Sequence, residues 1–184
     1  KILKPFKDPG VWYAFHWYEP FLYSQKDSNY SYPGQVPTGE NPKPADALFW
    51  DKTTLATFLK PVIDWQHEHK IDGAQIVVGE FGLNRLIKGA PQYLGDLRAL
   101  FLEYGFMHAF YHFREPQFPR MDYELGAQEK LGPYWQALEE GVTPTYERLR
   151  KPEMLEALGL SVMKLKKPLR GFNSWNSFGP DINE

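Results

Sequence analysis

The 184-residue sequence contains no cysteine, so disulfide bonds and thiol chemistry are excluded. It also lacks any apolar run near the roughly 20 residues that a membrane-spanning helix needs, and its first residues do not resemble a signal peptide. Acidic and basic residues nearly balance, at 23 and 21, which gives a formal net charge of −2. Because no long basic segment occurs, neither nucleic acid nor a membrane is an expected partner, and the cellular compartment stays open.

The length of the chain limits the fold. A chain of 184 residues can form one compact domain with a sizeable core, whereas a complete barrel of eight β/α units typically takes roughly 250 residues. Aromatic residues make up 16% of the sequence, and many of the six Trp and eleven Tyr lie outside helix or strand patterns. Packing under long loops explains part of this excess, and a surface that stacks on sugar rings is the functional interpretation of the remainder.

The most informative segment is AQIVVGEFGLNR, in which Glu80 follows a short β-branched apolar run and lies between two glycines. Such a run predicts a buried strand, most often in a parallel sheet. A carboxylate at the end of a buried strand is costly unless it has a partner or lies at a cleft, and that end of the strands is the catalytic face of a β/α barrel. Two interpretations stay open: Glu80 is catalytic, or it forms a structural ion pair with Arg85 or Arg114.

Strand and helix patterns alternate around this segment. Residues 11–18 (VWYAFHWY) and 106–113 (FMHAFYHF) have the composition of strands, and the two-residue period places His16 and Tyr18 on one face. Helices are predicted after an N-cap at Asp51 and at residues 91–104, 128–140 and 152–159. This alternation predicts an α/β fold with parallel strands.

Two segments do not follow this alternation. Residues 19–49 contain five prolines and two glycines, and a loop of that length in a compact domain is usually functional or disordered. Residues 161–184 are first basic and then read LRGFNSWNSFGPDINE, which predicts one more strand at residues 169–174. The chain is therefore divided into residues 1–160 and residues 161–184.

Three motifs along the chain, HWYEPFLYSQ, VVGEFGLNR and HFREPQFPRMDYELG, resemble glycoside hydrolase family 5, the cellulase and β-mannanase family. The resemblance implies a (β/α)8 barrel of the TIM type that cleaves β-glycosidic bonds with retention and needs no cofactor or metal. It makes the strands of residues 1–160 the sixth, seventh and eighth of that barrel. The tail resembles the strand-one segment of the same family, and also the opening strand of family 27 α-galactosidases. The expected fold is therefore a partial or circularly permuted barrel.

The resemblance also implies roles for individual residues. Glu80 matches the catalytic nucleophile, and His16 with Tyr18 match a strand-six pair that binds at the same subsite. A carboxylate must stay ionised to attack the anomeric carbon, and a phenol that donates a hydrogen bond to it favours and orients that form. A histidine and a tyrosine two residues apart would, without this context, be better explained by core packing.

Two features depart from the family pattern. His108 occupies the strand-eight position where the family usually has a sugar-stacking tryptophan, which implies another substrate-binding contact or a loss of function. Retention also needs a second carboxyl group roughly 5–5.5 Å from the first, which the family supplies from an Asn-Glu pair at the end of strand four. No Asn-Glu-Pro occurs in this sequence, and Asn183-Glu184 lies in the wrong context. The local candidates for the acid, each of them equally explained as a surface charge, are Glu19, Glu115 and Glu124.

The sequence therefore predicts a retaining, endoglucanase-like hydrolase of β-linked glucan or mannan, with an oligosaccharide or polysaccharide as its partner. The alternative is a non-catalytic carbohydrate-binding or scaffold half-barrel without the general acid/base. Strands two to five are missing, and an open parallel sheet would expose two edges and an apolar face. A homodimer or a complementary fragment is therefore expected to complete the barrel.

Overall fold

A computed structural model describes residues 3–26, 29–39, 42–112, 118–124, 137, 139–142 and 152–160. The strands in this part are β1 (Tyr13–Trp17), β2 (Gly34–Pro37), β3 (Ala47–Trp50), β4 (Ile76–Phe81) and β5 (Met107–Phe110). The helices are α1 (Phe21–Gln25), α2 (Lys52–His69), α3 (Ala90–Glu103) and α4 (Pro152–Ala157).

Strands β1, β4 and β5 form one parallel sheet with β4 in the centre. A long helix follows β1 and another follows β4, so the predicted alternation of strands and helices with parallel pairing is confirmed. The three strands coincide with the predicted ones to within a few residues. The strand predicted at residues 169–174 lies outside the described residues, as does most of the helix predicted at residues 128–140.

The helices cover one face of this sheet. Helix α2 begins at its N-cap Asp51, whose carboxylate accepts a hydrogen bond from the Thr54 amide at 2.9 Å. The side chains that α2 buries recur at helical spacing and are Leu55, Leu59, Ile63 and Gln66. Helix α3 likewise buries Tyr93, Leu94, Leu97, Leu100 and Phe101. Each fully buried Leu or Phe stabilises the fold by about 1.5–3 kcal/mol.

Strand β4 contains a bulge next to Glu80. Phe15 of β1 pairs with Val78 whereas His16 pairs with Glu80, so β4 has one extra residue there, and its pairing with β5 shifts at the same place. Val78 and Phe81 are both fully buried on the helix side. Strict alternation from Val78 would turn Glu80 toward the helices, where an ion is costly. The bulge instead directs Phe81 to the core and Glu80 to the opposite face.

The segment between β1 and α2 is not a simple loop. Its described part contains α1 and an antiparallel hairpin of β2 and β3, which corrects the expectation for residues 19–49. A cluster of three buried rings, Tyr23, Tyr32 and Tyr93, attaches it to α3, with ring centroids 5.4–6.2 Å apart. The Tyr32 hydroxyl also donates to Asp96 at 2.8 Å. Strands β2 and β3 have only four residues each, so the sequence pattern in this proline-rich segment did not predict them.

The second face of the parallel sheet is open in the part of the chain that is described. Trp12 and Met107 are 59% and 38% exposed, and Ala14 and Ala109 are also exposed. Strands β1 and β5 each have a single strand neighbour there. In the same residues, no helix combines the length and the apolar character needed to cross a membrane.

Candidate active site

Glu80 lies at the carboxyl end of β4, on the open face of the sheet. The Tyr18 hydroxyl donates a hydrogen bond to Glu80 Oε2 at 3.0 Å, which confirms the contact expected from the order of the strands. The His16 Nδ1 atom lies 3.4 Å from the same oxygen. The side chains of His16 and Glu80 are 57% and 39% exposed, so a ligand can reach the carboxylate.

Tyr18 is one residue beyond the end of β1. Burial, reinforced by the hydrogen bond to Glu80 and the negative charge of that carboxylate, raises the pKa of Tyr18 well above that of a free tyrosine. The phenol therefore keeps its proton at every physiological pH. It is a permanent hydrogen-bond donor to the carboxylate.

The structure tests one of the two ion pairs considered for Glu80. Its contacts are with Tyr18 and His16, so Glu80 has no ion pair with Arg85. Arg85 is itself fully buried; burial lowers its pKa, and the negative charge of Asp122 opposes that effect. Arg114 lies outside the described residues. Among the described residues, the carboxylate is thus held by Tyr18 and His16 and by no lysine or arginine.

His108 lies on the other face of the sheet. Its ring packs against Phe81 and Phe101 with centroids 5.8 and 5.7 Å away, and Phe101 belongs to α3. Residues paired across parallel strands share a face, and His108 pairs with the buried Val78. The His108 ring therefore packs on the helix side of the sheet, away from Glu80, and its expected contact with substrate stays a prediction. The strand-eight alignment assigned it without knowing the face toward which its side chain points.

Two tyrosines near the site were missed by the sequence analysis. Tyr111 and Tyr123 lie close enough to Tyr18 to contribute to the rise in its pKa. The buried Tyr123 hydroxyl accepts from the Leu83 amide at 2.9 Å and donates to the Leu83 carbonyl at 3.1 Å, which joins the segment after β5 to the segment after β4. No local pattern distinguishes these two tyrosines from the others in the sequence.

Of the three candidates for a second catalytic carboxyl group, the two that are described, Glu19 and Glu124, are not among the contacts of Glu80. The Glu19 side chain is exposed, while its carbonyl accepts a hydrogen bond from the Tyr93 hydroxyl at 2.6 Å. The Glu124 amide donates to Asp122 Oδ1 at 3.0 Å, and Glu115 lies outside the described residues. Among the residues that the structure describes, no group of three or more His, Asp or Glu side chains could hold a metal ion. Among the described residues, the contacts of Glu80 therefore include no second carboxyl group.

No family model matches the sequence, and no protein of curated function matches it. Solved structures do match in fold. One is an endoglucanase, with a TM-score of 0.53 and 19% identity. Another is the Cel5A protein of Thermotoga maritima in complex with cellobiose, with a TM-score of 0.53 and 15% identity, and a third is the same protein in complex with mannotriose, with a TM-score of 0.52 and 15% identity. In each case the match covers 85% of this chain and 42% of the other.

These similarities show the fold. The matching proteins are TIM barrels of the family 5 type, and this chain spans less than half of their length. A mixed α/β fold with a parallel sheet, as described above, is what part of such a barrel contains. The carboxyl ends of its strands, where Glu80 and Tyr18 lie, correspond to the catalytic face of barrels in general.

Proposed function

We propose that this chain carries the nucleophile side of a retaining β-glycosidase site of the family 5 type, acting on β-linked glucan or mannan. The observation that carries the proposal is the 3.0 Å hydrogen bond from Tyr18 to Glu80 at the carboxyl end of the central strand. The similar structures support the substrate class, because their names record an endoglucanase and complexes with cellobiose and mannotriose.

In this proposal Glu80 attacks the anomeric carbon of the sugar. The contacts of Tyr18 and His16 both fall on Oε2, which leaves Oε1 as the attacking atom. A bond forms between Oε1 and the anomeric carbon while the glycosidic bond breaks, and the departing oxygen takes a proton from an acid. Water then attacks the anomeric carbon of the glycosyl ester and gives a proton to the conjugate base of that acid, which releases the sugar and restores the Glu80 carboxylate. Tyr18 remains protonated throughout and returns its hydrogen bond to the free carboxylate.

The second candidate function is a non-catalytic carbohydrate-binding half-barrel. It is favoured by the contacts of Glu80, which include no second carboxyl group among the described residues. The two functions differ in covalent chemistry, because a binding module holds an oligosaccharide without forming a glycosyl ester.

A completed barrel is part of the proposal. Trp12 and Met107 are exposed, and β1 and β5 each have an edge with no strand neighbour among the described residues; both features favour a covering segment, either a complementary fragment or a second copy of the chain. In a symmetric dimer in which each copy contributes four strands, the two Glu80 residues would lie four strands apart. The two catalytic strands of the family lie three strands apart. Such a dimer should therefore bind sugars better than it cleaves them. Light scattering measures the assembly. A stable, folded monomer of 21.5 kDa would contradict this part of the proposal.

An activated fluorosugar tests the nucleophile without requiring the acid. In a dinitrophenyl 2-deoxy-2-fluoro-β-cellobioside, the leaving group departs unprotonated and the fluorine slows hydrolysis of the ester. We expect the protein to gain the mass of one fluorocellobiosyl unit, located on the peptide that contains Glu80. Glu80→Gln should abolish the labelling and leave cello-oligosaccharide binding nearly intact, because most subsite contacts remain. The matched control is Glu68→Gln, on the exposed side of α2, which should label normally.

Each result has a definite meaning. Cello-oligosaccharide binding without labelling would refute the catalytic proposal in favour of the binding module. Labelling of a carboxylate other than Glu80 would refute the assignment of the nucleophile. A protein that neither binds nor becomes labelled would exclude both functions for these sugars. In a complete and active assembly, Glu80→Gln should also lower kcat by several orders of magnitude.

A further inference from the structure

Ser24 has two hydrogen bonds that its short helix does not require. It is fully buried in α1, and its amide donates to the Pro20 carbonyl at 3.1 Å, as in any helical turn. Its hydroxyl donates to the backbone carbonyl of Tyr18, six residues earlier and outside the helix. Its own carbonyl accepts from the Asn84 amide at 3.1 Å. One buried residue thus contacts both backbone segments that carry the candidate site.

The two segments lack the support of the sheet at these positions. Tyr18 is one residue beyond β1 and Asn84 is three residues beyond β4, so neither belongs to a paired strand. The Tyr18 hydroxyl nevertheless reaches Glu80 at 3.0 Å. A phenol at the end of a strand needs a fixed backbone to keep such a distance, and the Ser24 hydroxyl fixes the Tyr18 carbonyl relative to the segment that follows Glu80.

The usual behaviour of a helical serine does not explain this contact. A serine hydroxyl in a helix commonly bonds to the carbonyl three or four residues earlier, which here would be Phe21 or Pro20. The Ser24 hydroxyl instead bonds to Tyr18. A fully buried hydroxyl would otherwise cost the free energy of an unsatisfied polar group, so the hydrogen bond to Tyr18 is structurally necessary.

We propose that Ser24 is a positioning residue for the candidate nucleophile, which it serves by holding the Tyr18 backbone so that the phenol donates to Glu80. The inference rests on the proposed function for its catalytic meaning and on the geometry alone for its effect on Tyr18.

The first test measures the rate of labelling by the activated fluorosugar. In Ser24→Ala, we expect the maximal rate constant of labelling to fall about tenfold, while the half-saturating concentration of the fluorosugar stays unchanged. The reason is that the lost hydrogen bond to Tyr18 affects the reacting carboxylate and not the binding of the sugar. Ser24→Thr keeps the hydroxyl and should restore the rate. The matched control is Tyr23→Phe, which removes a hydrogen bond from the neighbouring position of α1 to the Lys88 carbonyl and should label like the wild type.

A double-mutant cycle separates positioning from general loosening of the structure. If Ser24 acts through Tyr18, then Ser24→Ala in a Tyr18→Phe background should cause no further loss of rate. An additional tenfold loss in that background would overturn the inference, and so would wild-type labelling by Ser24→Ala itself.

The second test does not depend on any activity. NMR of protein labelled with 13C at the tyrosine Cζ carbons follows the ionisation of Tyr18. At a pH of about 10.5, above the ordinary tyrosine pKa, Tyr18 should remain protonated in the wild type and in Tyr23→Phe and become partly ionised in Ser24→Ala. An identical titration of Tyr18 in all three proteins would overturn the inference. If the wild type shows no labelling, the proposed function fails, and this titration still decides the role of Ser24.

Discussion

Gly82 offers a sharp test of the packing behind the site, because it lies between the segments that follow β4 and β5. A Cβ atom added there would lie 2.3 Å from the Tyr111 carbonyl oxygen, 2.9 Å from the Tyr123 hydroxyl and 3.0 Å from the Met121 methyl group. Ordinary contacts begin at 3.4 Å, so the Tyr111 backbone must retreat by about 1 Å.

That retreat strains three hydrogen bonds. They are the bond from the Tyr111 amide to the Phe81 carbonyl at 2.7 Å and the two bonds of the Tyr123 hydroxyl with Leu83. At about 1 kcal/mol for each bond, and about 1–3 kcal/mol of overpacking strain, we expect Gly82→Ala to lower the free energy of unfolding by about 4–6 kcal/mol.

Urea unfolding measures this loss, and Gly95 provides the control. No atom lies within 4 Å of a Cβ added at Gly95, inside α3, so Gly95→Ala should raise the free energy of unfolding by about 0.5–1 kcal/mol. The same Gly→Ala substitution should thus lower the free energy of unfolding at position 82 and raise it at position 95. A loss below about 1 kcal/mol in Gly82→Ala, or a comparable loss in Gly95→Ala, would refute the described packing.

Three further predictions concern other parts of the molecule. Burial raises the pKa of Tyr93, so the native state keeps a proton that the unfolded chain releases above pH about 10. The contribution of Tyr93 to stability is therefore complete below that pH and falls above it. In urea unfolding at a series of pH values, Tyr93→Phe should make this fall shallower by about 1.4 kcal/mol per pH unit. His108→Ala should destabilise the protein by about 1 kcal/mol or more but leave fluorosugar labelling unchanged, whereas reduced labelling would return His108 to the site. Asp51→Ala should cost about 1 kcal/mol of stability in the same assay, against a smaller effect of Asp64→Ala, which removes only an exposed ion pair.

The alternating elements and the main contact of the site could be predicted from the sequence. Apolar runs bounded by glycine and proline predicted the strands, and helical spacing with an Asp51 cap predicted α2. The contact between Tyr18 and Glu80 was also predictable, because the ends of neighbouring parallel strands meet at one edge of a sheet. These features depend on local patterns and on strand direction, and both can be read along the chain.

The face that each side chain occupies depends instead on how the strands pair in the folded chain. The bulge in β4 depends on how that strand pairs with both neighbours, and it turns Glu80 to the open face where strict alternation would bury it. The same pairing places His108 under α3, although the sequence aligned it with a substrate-binding position. Ser24 forms hydrogen bonds with Tyr18 and with Asn84, which lies 60 residues further along the chain than Ser24. No local sequence period predicts such a long-range contact. Register and long-range hydrogen bonds arise from packing between elements, so they appear only when the chain has folded.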